Sequence, residues 1–111
     1  MNVYDTANRL GTEIKQSEEY LAYKKAKEKV LGNPDTKKKI DDFEKLRYDI
    51  QVLTFEGKEN DPEKTKKLEE MYQILVEDKE IKEYFDLEVK FNVMIADVNK
   101  IIGEAIKDVL N

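Results

Sequence analysis

From Asp78 to Leu110 the apolar positions recur at helical spacing. One row runs Tyr84, Leu87, Phe91, Met94, Val98, Ile101 and Ala105 in alternating steps of three and four residues. A second runs Ile81, Phe85, Ile95, Ile102, Ile106 and Val109. No proline interrupts the stretch, and its one glycine, Gly103, costs about 1 kcal/mol against alanine in a helix. Val89, Val93 and Ala96 carry the apolar surface nearly all the way round between Leu87 and Val98. A helix apolar on every side is buried on every side. The pattern therefore predicts one long final helix, packed against the rest of the chain and against a second subunit.

The earlier chain divides into shorter periodic segments. Val3, Ala7, Leu10 and Ile14 predict a first helix capped by Asn2, with the pattern breaking at Lys15-Gln16-Ser17. Ser17 is the expected cap of a second helix, with Glu18 and Glu19 in its first turn and Tyr20, Tyr23, Ala26 and Val30 facing inward. Gly32 stands where a left-handed residue would end that helix. Asn33-Pro34-Asp35 combines cap, first-position proline and first-turn acid, opening a third helix over 34–56 with the stripe Ile40, Phe43, Leu46, Ile50 and Leu53. The polar loop Gly57-Lys58-Glu59-Asn60 closes a helical hairpin. Asp61-Pro62-Glu63 repeats the start signal for a fourth helix over 62–76, burying Leu68, Met71, Tyr72 and Leu75. Continuing that stripe past Leu75 would bury Asp78, Lys79 and Lys82, so a break at Glu77-Asp78, with Asp78 as cap, is the cheaper solution.

The expected fold is all-α: a single domain over 1–111, of about five helices, with a hairpin (34–56, 62–76) and a long C-terminal helix (78–110), forming a dimeric bundle. The final helix, about 32 residues at 1.5 Å each, is roughly 48 Å long. A compact domain of this size is about 34 Å across. An overhanging end bearing isoleucine and valine marks an interface, and a symmetric homodimer is the commonest way to cover it. The self-association seam is placed at Phe91, Met94, Ile95, Val98, Ile101 and Ile102. The spacing leaves open which stripe faces self and which faces another partner.

Composition narrows the chemistry. Histidine and cysteine are absent from the 111 residues, which removes the usual general base, imidazole and thiolate metal ligands, disulfides and redox thiols. Ser17 is the only serine and reads as a helix cap. Glycines 11, 32, 57 and 103 form no phosphate-cradling cluster. The pairs Asp41-Asp42, Glu69-Glu70 and Glu77-Asp78 point about 100° apart on a helix, so they do not converge on one substrate. Di-metal bundles need Glu-x-x-His motifs, which this chain lacks. No catalytic, cofactor-binding or metal-binding residue is expected, and no enzyme.

Lys37-Lys38-Lys39 and Lys64, Lys66, Lys67 sit beside helix starts, where positive charge opposes the dipole. They hint at an anionic partner, but read more simply as solvated faces with pairs such as Asp41–Lys45 and Glu63–Lys67. The six tyrosines lie mostly on apolar stripes, as core or interface rather than as a base-stacking platform. A net charge of −5 argues against direct nucleic-acid binding. With no leader-like N-terminus and no run of about 18 apolar residues, the expectation is a cytoplasmic chain without membrane insertion.

Three stretches taken together resemble a known family: VYDTANRLGTEIKQSEEYLAYKKAKEKV, NPDTKKKIDDFEKLRYDIQ and IKEYFDLEVKFNVMIADVNKIIGEAI. In this order and length they are similar to the YlbF/YmcA family of small bacterial helical proteins, nearest its YheA-like branch. The resemblance implies an all-helical, self-associating fold without enzymatic activity. It also implies partners: family members act with sister proteins and YaaT in a complex that directs the ribonuclease RNase Y, affecting competence, sporulation and biofilm formation. Some relatives carry cysteines implicated in iron–sulfur ligation; this chain has none, so no cluster is expected. Two functions follow as expectations: a regulatory adaptor acting through protein–protein contacts, or a structural, chaperone-like module that holds apolar client segments.

Overall fold

The computed structural model describes residues 2–110. It comprises α1 (Val3–Gln16), α2 (Glu18–Leu31), α3 (Pro34–Phe55), α4 (Pro62–Leu75) and α5 (Lys79–Ile106), followed by a 3-10 turn at Lys107–Val109. Among the described residues there is no strand. The all-α expectation and the order of five helices hold.

The helix starts are set by local capping. Asn2 Oδ1 accepts from the amides of Tyr4 (2.9 Å) and Asp5, and Ser17 Oγ accepts from Tyr20 N at 3.2 Å. Asn33 Oδ1 accepts from Asp35 N at 3.0 Å, and Asp61 Oδ1 from Glu63 N at 2.9 Å, each just before a proline that has no amide to satisfy. The expected break after α4 is present: Asp78 Oδ1 accepts from Glu80 N at 2.9 Å and Ile81 N at 3.4 Å, which restarts the helix.

Three details depart from expectation. Gly32 does not take the left-handed conformation; Gly57 does, with φ +75°. At the end of α3, Lys58 N donates to Leu53 O (3.0 Å) and Gly57 N to Thr54 O (3.1 Å), the paired bonds that a left-handed residue closes. At the end of α2 the chain re-enters a helix at once through the extended Asn33, so no left-handed turn is required. A Cβ on Gly32 would still lie 3.0 Å from Glu28 O, which accounts for glycine there on steric grounds. Second, α5 ends at Ile106 rather than Leu110, its last turn tightening to 3-10 geometry as helix ends often do. Third, Asp41 pairs with Lys37 (2.8 Å), one turn N-terminal, and not with Lys45.

Two compact units are distinguished: the segment ending at Lys27 with the segment starting at Tyr84, and Glu28–Glu83. In the second unit, α3 packs against α4. Val30, Ile40, Phe43, Leu75 and Ile81 are buried, with Ile40 only 2% exposed. The Phe43 ring lies 6.1 Å from that of Tyr72, and the Arg47 guanidinium stands 5.6 Å over Phe43 while pairing with Glu44. Full burial of a side chain such as Phe43 stabilises by about 1.5–3 kcal/mol, so these five residues dominate the stability of this unit. The exposed Lys29–Glu80 ion pair (3.2 Å) adds at most about 1 kcal/mol.

The first unit is held by rings. Tyr23 stacks on Tyr84 at 5.7 Å and lies 5.4 Å from Phe91; Tyr20 reaches Phe91 at 6.1 Å. This register runs α2 antiparallel to α5. Each such aromatic pair contributes about 0.5–1.5 kcal/mol beyond its buried area. On α1, only Leu10 and Ile14 are half-buried, whereas Val3 and Ala7, expected on the same inner stripe, are exposed.

A candidate protein-interaction surface

All the apolar side chains of α5 and its 3-10 extension beyond residue 100 stand in solvent. Ile101 is 71% exposed and Val109 83%, with Ile102 and Ile106 also open. Val3 and Tyr4 of α1 are exposed to a similar degree. Single exposed hydrophobes need no explanation, but a row at helical spacing marks a candidate interface. Among the six residues of the expected seam, Ile101 and Ile102 lie on this open stretch. Met94, Ile95 and Val98 are half-buried, and Phe91 lies partly under the rings of Tyr20 and Tyr23. The structure thus extends the open stripe beyond the seam, to Ile106 and Val109, and sets exposed α1 side chains in the same unit.

A second feature lies farther back along α5. Glu18, Glu19 and Ala22 of α2 and Leu87, Val89, Lys90, Val93, Met94 and Asp97 of α5 line an open groove of about 660 Å³. Val89 and Val93 are more than half exposed. Sequence reading placed neither valine in a site, although the all-round apolarity of this segment was its signal.

A strongly perturbed group lies inside the α2–α5 packing. The Tyr23 hydroxyl donates to Glu88 Oε2 at 3.2 Å. Burial raises its pKa above the ordinary phenol value, and the neighbouring Tyr84 and Glu88 push it further the same way. A tyrosine held in its neutral form between two aromatic rings is a packing and hydrogen-bonding residue; it offers no nucleophile at neutral pH. Lys37, Lys38, Lys39, Lys66 and Lys67 are exposed and Lys64 is half-buried, with Lys37 joined to Asp41. Among the described residues, no group of three or more acidic, histidine or cysteine side chains converges as a metal site, and no helix is long and apolar enough to cross a membrane.

Known proteins match this architecture. The family described as "Control of competence regulator ComK, YlbF/YmcA" matches residues 3–107, which span both units. A UPF0342 protein of Symbiobacterium thermophilum is 36% identical over 94% of this chain and 93% of its own length. One from Desulfitobacterium hafniense is 37% identical over 99% and 89%. A solved structure, a "Protein of Unknown Function (DUF964)" from Bacillus stearothermophilus, superposes with a TM-score of 0.82 over 96% of this chain and 94% of that one, at 16% identity, and so supports the fold alone. With a family match across 3–107 and relatives above one-third identity over nearly full length, this chain belongs to the YlbF/YmcA family.

Proposed function

We propose that this chain is a non-enzymatic adaptor that works within a regulatory pathway by holding protein partners, a second copy of itself among them. The observation that carries the reading is the unpartnered apolar row on α1 and the end of α5. A homodimer closed on Ile101, Ile102 and their neighbours is the simplest occupant. The family's link to competence control supports the regulatory setting. The finer reading, that the partners are sister proteins in a complex tuning RNA processing, follows from the family resemblance.

The test is affinity purification of the tagged chain at native expression level from its own host. Stoichiometric recovery of one or two proteins is expected. A long list of unfolded clients that varies with their hydrophobicity would overturn the adaptor reading in favour of the chaperone-like one. Recovery of the chain alone would also overturn it.

A further inference from the structure

We propose that the open end of α5 is covered by α1 of a second copy, laid antiparallel along it, and that the first copy's α1 covers the second α5 in return. The inference rests on the adaptor reading, in which a second copy is one partner, and names the segment by which that copy binds. Both stripes belong to one unit, yet neither closes on the other within the chain. Val3 is 79% exposed and Ile101 71%, with Ala7 and Ile106 also open. At about 100° per residue, Val3, Ala7, Leu10 and Ile14 fall within an arc of about 60° on α1. By the same count Val98, Ile101, Ile102, Ala105 and Ile106 fill one side of α5, with no charged residue among them. The stretches also match in length: Val3–Ile14 and Val98–Val109 each span about 17 Å. One two-fold axis therefore lets each stripe cover the other twice, leaving neither in water.

Pairing the two α5 ends with each other is the competing arrangement, and it fails in both directions. Side by side and parallel, the helices meet an obstacle. Tyr20 and Tyr23 of α2 lie on Phe91, in the same row, so both copies of α2 would stand between them. Antiparallel pairing avoids α2, but a two-fold axis across antiparallel helices brings the same edge of each together. That edge carries Asp97 and Glu104, so acid meets acid. It also leaves Val3 and Ala7 of both copies exposed. An antiparallel α1 presents its own matching edge, which carries Arg9 and Glu13. A cation then alternates with an acid along the Asp97–Glu104 edge. Among the described residues, neither Arg9 nor Asp97 is engaged in an ion pair.

The test uses the absence of cysteine from the chain, which lets single thiols be placed without background. Gly11 and Asn99 lie on the opposite, uncharged edge of the two stripes, and a Cβ at Gly11 meets no atom within 4 Å. Full-length Gly11→Cys and Asn99→Cys chains, one tagged to change its mass, are mixed in urea, refolded together and treated with a short bismaleimide. Cross-links should join chains of different kinds, and each variant alone should give at least tenfold less covalent dimer. Arg9→Glu, tested in the cysteine-free chain, should weaken self-association at least fivefold, because the contact occurs twice per dimer. Circular dichroism checks that every variant folds. Asn99→Cys joining itself as readily as it joins Gly11→Cys would overturn the proposal in favour of paired α5 ends. Gly11→Cys joining itself as readily would overturn it in favour of paired α1 helices. Unchanged association in Arg9→Glu would overturn the antiparallel placement. Light scattering separates the remaining failures. A two-chain mass without mixed cross-links overturns the α1 placement and leaves the adaptor reading standing; a single-chain mass removes the second copy from that reading as well.

Discussion

The Glu28–Glu83 unit and the unit built from α1, the first part of α2 and most of α5 carry similar apolar periodicity but use it differently. In the first, Ile40, Phe43 and Leu75 are buried within the unit. In the second, α2 covers the Tyr84–Phe91 stretch through three ring contacts, while the same stripe continues exposed from Ile101 to Val109. The hydrophobic effect acts on both stretches alike, per unit of area removed from water. Periodicity alone therefore does not separate a core from an exposed face; the supply of neighbouring helix does.

The contrast is most sharply tested by truncation. Phe43→Ala should cost about 3–5 kcal/mol, because it removes a buried ring and leaves a cavity against Tyr72. Urea unfolding should show the midpoint falling steeply. Ile101→Ala, on the open stripe, should change the stability of the isolated chain by no more than about 0.5 kcal/mol. Equal losses at both positions would erase the distinction between the units.

The next effect is on association. Ile102→Asp, and Ile95→Asp in the half-buried part of the stripe, should weaken the proposed self-association at least a hundredfold, since each places an unpaired carboxylate in the seam proposed to close away from water. Light scattering after size exclusion should then return the 13.1 kDa of a single chain. Unchanged mass in both variants would place self-association elsewhere or remove it.

Glycine substitutions separate backbone need from packing on a smaller scale. Gly57→Ala forces a Cβ into a left-handed residue at φ +75° and should destabilise by about 1 kcal/mol. Gly103→Ala meets no atom within 4 Å in the body of α5 and should stabilise by up to about 1 kcal/mol. Opposite signs in thermal unfolding are the expected result.

The capping chemistry was readable because it is local. Asn33-Pro34-Asp35 and Asp61-Pro62-Glu63 each supply a side-chain acceptor, a residue without an amide and an acid within three positions, and each begins a helix as read. The break before α5 was readable for a different reason: three charged residues would otherwise have been buried. Gly32 and Gly57 could not be ranked locally, because each follows an apolar stripe and precedes a polar turn. What separates them is the extended backbone of Asn33, which starts the next helix immediately, while the chain after Gly57 enters a loop. The candidate surface was legible as a stripe but not as an exposed stretch. Phe91 and Ile101 belong to the same row, and their different exposure depends on Tyr20 and Tyr23, about 70 residues distant in sequence, reaching one and not the other.

The smallest predicted effect lies where the unit of α1, α2 and α5 does have a packed core. The Tyr23 hydroxyl is held neutral chiefly by burial, with Tyr84 and Glu88 facing it and Lys27 placed 5.9 Å from the ring centroid. Its folded-state pKa is raised above the ordinary phenol value of 10.0 that applies to the unfolded chain. Below pH 10 both states keep the proton, and this group contributes no pH dependence. Above it, the unfolded chain loses the proton while the folded chain retains it, so the folded state binds more protons and stability falls as pH rises. Tyr23→Phe removes that term together with the hydrogen bond to Glu88, while preserving the stack on Tyr84. The variant should be slightly less stable than the parent at pH 8, and the gap should narrow from pH 10 upward, measured by urea midpoints at matched ionic strength. A gap that stays constant through pH 11 would mean that Tyr23 is solvated in the folded state. The aromatic core of this unit would then be open as well, and the contrast with the buried Glu28–Glu83 unit would be wider than the ring contacts imply.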